Sequence, residues 1–89
     1  MKTDHQLERY FKGAANHRRI QILRLLFRKR ELSLEAIAEE VEVNLQTIAE
    51  HVRRLADAGL IYKKPAGREV RHILSPYGER MVKFFSSFK

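Results

Sequence analysis

Cysteine is absent from the 89-residue chain, which excludes disulfides, thiol nucleophiles and thiolate metal sites. No apolar run approaches the roughly 18 residues of a membrane-spanning helix, and the N-terminus lacks the apolar stretch of a signal peptide. Proline and glycine are scarce, at two and four residues, and turns account for all of them. A glycine-rich phosphate loop is missing. So is any Ser/His/acid set with a recognisable local context, because Ser33 and Ser75 stand where helix caps belong. The expectation is a protein that is not an enzyme. Internal repeats, low-complexity tracts and linker-like stretches are also lacking. These absences lead us to expect a soluble, cytoplasmic chain.

What is present is positive charge. Eighteen Lys and Arg against eleven Asp and Glu leave +7 at pH 7, which favours an anionic partner, nucleic acid or a membrane surface. The charge is uneven: residues 1–30 carry +7, residues 31–42 carry −5 and residues 43–89 carry +5. The length allows one domain, spanning 1–89. A hydrophobic content of 44% argues against disorder. So small a domain buries a modest fraction of its surface, which makes dimerisation a source of further burial.

The apolar pattern predicts five helices and one hairpin. Leu7, Tyr10, Phe11 and Ala14 recur at i, i+3, i+4 and i+7, one face of a first helix. Asn16 can cap a second, with Ile20, Leu23, Leu26 and Phe27 as inner stripe and Ile22 and Leu25 broadening it. Ser33 opens a short third helix through Leu34, Ile37, Ala38 and Val41. After a tight turn Asn44 caps a fourth, which offers Leu45, Ile48, Val52 and Leu55 to the core and ends at Gly59. Ile61–Lys64 and Arg68–Leu74 read as two strands around Pro65-Ala66-Gly67. Ser75-Pro76 then starts a last helix whose stripe, Tyr77, Met81, Phe84 or Phe85, and Phe88, is aromatic.

Two helices joined by about four residues form a helix-turn-helix; a basic hairpin after it makes a winged helix. The fold class is therefore mainly α with a small β-hairpin: a winged helix-turn-helix of about five helices and a two-stranded wing. Over roughly residues 13–74 the chain resembles the small winged-helix transcriptional repressors of the ArsR type. The resemblance is carried by Asn16-His17-Arg18-Arg19-Ile20-Gln21-Ile22-Leu23, Glu31 to Ala38, Thr47 to His51, Leu55-Ala56-Asp57-Ala58-Gly59-Leu60-Ile61 and Gly67-Arg68-Glu69-Val70. The Leu74-Ser75-Pro76-Tyr77-Gly78 ending is also similar to winged helices of the MarR or PadR type.

The resemblance implies a homodimeric repressor of transcription that binds double-stranded DNA, with the fourth helix (about 44–58) in the major groove. Residue chemistry fits that role: Gln pairs with adenine edges, Thr with bases or phosphate, and Arg with guanine or phosphate. The candidate DNA-binding residues are Ser33 (through the amides it caps), Asn44, Leu45, Gln46, Thr47, Glu50, His51, Arg53 and Arg54. The wing (61–74) adds Lys63, Lys64, Arg68 and Arg71, directed at backbone or minor groove. Two candidates sit oddly: Leu45 replaces a polar residue, and a carboxylate at Glu50 is repelled in the groove unless it accepts from cytosine. A solvated polar helix and edge-protecting wing bases would read alike. Arg18 and Arg19 stand in a first turn where the dipole disfavours them, so one of them is expected to meet phosphate or an acid of the third helix. The candidate dimer surface is Leu7, Tyr10 and Phe11 with Tyr77, Met81, Phe84, Phe85 and Phe88.

Metal sensing is not expected. Where many ArsR-type repressors carry two cysteines on the third helix, this chain has Ser33 and Glu35. Others use the last helix, but residues 76–89 hold no histidine and only Glu79 as an acid. His5, His17, His51 and His72 are too widely spaced for a helical i, i+4 pair. His72 on the inner strand face stands in for an aromatic residue. No cofactor is implied. Two other readings stay open: an interaction module for a protein or RNA partner, and a repressor with a small-molecule pocket at its dimer interface.

Overall fold

The computed structural model describes residues 1–88. The order is α1 (Asp4–Ala14), α2 (His17–Lys29), β1 (Leu32–Ser33), α3 (Leu34–Val41), α4 (Leu45–Asp57), β2 (Ile61–Ala66), β3 (Glu69–Leu74) and α5 (Pro76–Ser86). Side-chain caps start every helix. Asn16, Ser33, Asn44 and Ser75 accept from amides of α2, α3, α4 and α5 as expected, and each such cap contributes about 1 kcal/mol. Thr3 and Gln6 add a reciprocal capping box at α1.

The buried set runs through the whole motif. Ile22, Leu23, Leu25 and Leu26 of α2, Ile37 of α3, Ile48, Val52 and Leu55 of α4, and Leu60 and Ile61 form one cluster. Full burial of each such side chain is worth about 1.5–3 kcal/mol, so α2 and α4 are the elements on which the fold turns. Phe27 departs from the inner stripe expected of it and is 43% exposed. The buried face of α2 turns out to be Ile22–Leu23 and Leu25–Leu26, and a further 100° step carries Phe27 past its edge.

The sheet has three strands, where the sequence suggested two. It is antiparallel, in the order β1-β3-β2. The extra strand is only Leu32–Ser33, paired with His72 and Arg71 of β3. The hairpin is longer than expected, because Pro65 and Ala66 lie within β2. Pro65 is tolerated there because β2 is an edge strand. The turn narrows to Gly67-Arg68, with Gly67 at φ 66°, the arrangement of a two-residue hairpin loop opening on glycine.

The turn between α3 and α4 is tight because Glu42 takes a left-handed conformation, φ 56°. Its amide and that of Val43 close onto the Glu39 and Ala38 carbonyls. α5 packs on α2 and β3. Its Gly78 lies so close to Leu60 that a Cβ there would stand 2.0 Å from the Leu60 carbonyl oxygen. No helix among the described residues is long and apolar enough to cross a membrane.

Candidate nucleic-acid interface

Burial of Ile48, Val52 and Leu55 fixes the rotation of α4. A helix of 3.6 residues per turn then sends Gln46, Thr47, Arg53 and Arg54 to the far side, and all four are exposed. Leu45, offered above both to the core and to a ligand, is 43% exposed. Asn44 is exposed, but its side-chain oxygen is used by the cap on the Thr47 amide, at 2.9 Å. The Ser33 hydroxyl likewise accepts from the Ala36 amide at 3.1 Å.

Glu50 is answered within its own helix. Arg53 hydrogen-bonds its carboxylate, Arg54 Nε lies 3.5 Å from it, and Arg53 also meets Asp57 at 3.3 Å. The Arg53 hydrogen bond holds the Glu50 carboxyl below the usual carboxylate range, against the opposing effect of burial. The carboxylate therefore orients two guanidinium groups on the outer face of α4.

His51 is set apart from this row. It is half-buried, and its Nδ1 accepts from Arg19 Nε at 3.3 Å. Burial first, and Arg19 next, push its imidazole below the ordinary histidine range. Arg19 also donates to the Gly13 carbonyl at 3.1 Å. Of the two partners expected for one of this pair, phosphate or an acid of α3, neither arginine reaches the acid, and Arg18 turns to Gln21. The dipole penalty at the start of α2 is met instead by hydrogen bonds to a carbonyl and an imidazole.

In the wing, Lys63, Lys64, Arg68 and Arg71 are all exposed. Strand alternation divides them: Lys64 pairs with Arg71, and Lys63 pairs with His72 on the opposite face. Lys64 lies 3.2 Å from Glu31, and Arg71 3.4 Å from Glu69. Lys63 and Arg68 have no acid within 4.0 Å among the described residues. His72 is buried at 4% exposure, with Nδ1 3.1 Å from the Leu32 carbonyl. Burial pushes its imidazole down. Among the described residues no group of three His, Asp or Glu could hold a metal ion.

The aromatic residues of the terminal helices meet at one surface. Tyr10 and Tyr77 stack at 4.8 Å, Phe11 meets Phe84 edge-on at 5.9 Å, and Phe84 meets Phe88 at 5.1 Å. Leu7, Phe11, Phe84 and Phe88 remain exposed. Met81 is buried as part of the chain's own core. Phe85 is partly buried, packs on that core and lies under Arg24. The adjacent phenylalanines thus divide, one outward and one inward. Lys2 and Arg80 stand over the tyrosine rings; the sequence carried no signal for Lys2, which is far from Tyr77 along the chain.

A family model described as winged helix-turn-helix DNA-binding matches residues 16–62. Among solved structures, the chain is similar to a homodimeric winged helix-turn-helix DNA-binding domain from Mycobacterium bovis, described as a possible ArsR-family transcriptional regulator. The TM-score is 0.84 at 28% identity, covering 98% of this chain and 86% of that one. A crystal structure of a possible transcriptional regulatory protein from Mycobacterium bovis is 30% identical, with TM-score 0.82, over 93% of this chain and 89% of that one. HlyU from Vibrio cholerae shares the fold at TM-score 0.84 and 24% identity, over 98% and 96% of the two chains. No curated protein matches the chain.

Proposed function

The chain belongs to the winged helix-turn-helix DNA-binding family, and from that premise we propose that it is a homodimeric, sequence-specific repressor of transcription of the ArsR type. It is a DNA-binding regulator rather than an enzyme, and it works in the cytoplasm, where its operator is. α4 enters the major groove, Gln46 and Thr47 meet base edges near its N-terminus, and Arg53 and Arg54 meet phosphates. Lys63 and Arg68 bring the wing to the backbone or minor groove. The observation that carries this reading is the amphipathic division of α4: Ile48, Val52 and Leu55 are buried, while Gln46, Thr47, Arg53 and Arg54 are exposed beside a basic wing. The homodimer is supported by the exposed aromatic surface and by the homodimeric state of the similar Mycobacterium bovis domain.

Binding to duplex DNA at several salt concentrations tests the proposal. Affinity is expected to fall linearly with salt on logarithmic axes, through release of counterions from neutralised phosphates. A duplex selected from a random library should be bound at least about a thousandfold more tightly than unrelated sequence. A flat salt response, or no binding at low salt, overturns the reading.

A further inference from the structure

Arg19 carries a consequence that its charge alone does not. Its guanidinium makes two directed hydrogen bonds, to the Gly13 carbonyl and to His51 Nδ1. Arginine offers donors only and keeps its proton. His51 Nδ1 must therefore be the bare, accepting nitrogen. A neutral imidazole then carries its single proton on Nε2. Among the described residues Nε2 has no hydrogen-bond partner, and no buried side-chain nitrogen or oxygen lacks one. Nε2 is therefore open to solvent, one turn along α4 from Thr47. The groups that bear on the imidazole are Arg19, His17, Arg18 and Glu50, of which only Glu50 favours its cation.

We propose that Arg19 is a positioning residue for DNA readout: by donating to Nδ1 it fixes His51 with Nε2–H outward, so that His51 addresses DNA as a donor and its partner must be an acceptor. The acceptor is a purine N7, guanine O6, thymine O4 or a phosphate oxygen. The inference rests on the DNA-binding reading above. Arg19 touches no base in this scheme. It determines which of two hydrogen-bonding characters the recognition helix presents, and it does so from the first turn of a different helix.

The test uses the full chain and a duplex selected by the unmodified protein from a random library. Imidazole nitrogen-15 shifts, assigned with His51→Gln and recorded at about pH 8, should report a protonated Nε2 and a bare Nδ1. Arg19→Lys and Arg19→Gln should move His51 toward a mixture of tautomers. Arg19→Lys, which keeps the charge, should weaken binding to the selected duplex by about 5- to 100-fold and binding to random sequence by less than about twofold. In a His51→Ala background the same substitution should have no further effect, a result that a purely structural role for Arg19 would not give. Duplexes with single 7-deazapurines, with 2-aminopurine for guanine (which lacks O6), with 5-methyl-2-pyrimidinone for thymine (which lacks O4) and with single methylphosphonates separate the base acceptors from a phosphate: the lesion that costs the unmodified chain affinity but not His51→Ala identifies the partner. A proton on Nδ1, or equal losses from Arg19→Lys with and without His51, overturns the proposal. Should Arg19→Lys fail to fold, the shifts of the unmodified chain and the lesion series with His51→Ala still decide it. Absence of salt-dependent duplex binding overturns this inference together with the DNA-binding reading, whereas a reversed tautomer overturns this one alone.

Discussion

Phe84→Glu combined with Phe88→Glu is expected to convert a dimer into a folded monomer. Leu7, Phe11, Phe84 and Phe88 are 42, 48, 46 and 71% exposed. At about 200 Å² for a large side chain, this leaves roughly 400 Å² of apolar surface per protomer and roughly 800 Å² across a two-fold axis. Removing that area from water is worth about 20 kcal/mol at ~25 cal/mol per Å². Association costs about 4–15 kcal/mol, and the remainder brackets the roughly 8 kcal/mol of a micromolar dimer. The two substituted rings supply slightly more than half of the exposed area, so the double variant loses about 11 kcal/mol of the gross term. Lys2 and Arg80 flank the surface and could pair with the new carboxylates. Exposed pairs of that kind return about 1 kcal/mol at most, too little to restore the dimer. Both rings lie outside the buried core, so the far-ultraviolet circular dichroism of the variant should match that of the unmodified chain. Sedimentation or light scattering from low to high micromolar concentration reads the outcome, and operator affinity should fall with the dimer. An unmodified chain that sediments as a monomer throughout that range refutes the reasoning; a double variant that remains dimeric refutes the location.

Three further outcomes are expected. Gly78→Ala should lower the melting temperature by an amount equivalent to about 1–3 kcal/mol of overpacking, despite the helix propensity gained, because its Cβ would stand 2.0 Å from the Leu60 oxygen; a rise in melting temperature contradicts this. Arg68→Ala, at the unpaired wing tip, should reduce the salt slope of DNA binding by about one for all sequences, while Gln46→Ala should cost about 1–3 kcal/mol on the selected sequence only; titrations of both variants on selected and random duplexes separate the two roles. For His72, burial lowers the folded pKa, so below about pH 6.5 the unfolded chain binds the proton more readily. The stability its neutral ring contributes is complete above about pH 6.5 and is lost as pH falls through the depressed folded value. Urea midpoints measured from about pH 8 to about pH 5 should fall, and less steeply in His72→Gln; an unchanged slope counts against the assignment.

Much of this architecture is legible in local pattern. Asn16, Ser33, Asn44 and Ser75 are read from sequence because a cap acts over two or three residues. The Arg53–Glu50–Arg54 cluster is equally local, since i, i+3 and i, i+4 pairs meet on any helix, and it neutralises the carboxylate that would otherwise be repelled in the groove. β1 was not legible, because two residues carry no alternation and become a strand only through His72 and Arg71. Arg30, at φ 72°, gave no signal either, being neither glycine nor asparagine. The Arg19–His51 bond joins residues 32 apart, and only the α2–α4 crossing reveals it. The stripe leaves open which of Phe84 and Phe85 faces inward, because adjacent helical residues differ by only 100°; packing on the core selects Phe85.

Both terminal helices are fastened to the same end of α4. Gly13 of α1 lies against Ala58, where an added Cβ would stand 2.3 Å from the alanine Cβ, and Arg9 donates to the Asp57 carbonyl at 2.8 Å. On the α5 side the Ser75 amide donates to the Leu60 carbonyl, and the Ser75 hydroxyl donates to Gly59 at 2.6 Å while accepting from the Gly78 amide at 3.0 Å. A second copy pairing through α1 and α5 is thereby tied to the C-terminal end of α4. Gln46 and Thr47, proposed to meet bases, lie about 15–17 Å away toward the other end of this 13-residue helix, and His51 lies about 9 Å away at its middle. Under the proposed function the two regions would have separate duties. In the proposed dimer, the glycine-sized contacts at Gly13 and Gly78 would fix where a partner holds α4, and so the spacing of two half-sites. Gln46, Thr47 and His51 would determine what is read within each. Changes at the first set should shift the preferred half-site separation and leave the preferred bases alone; changes at the second should do the reverse.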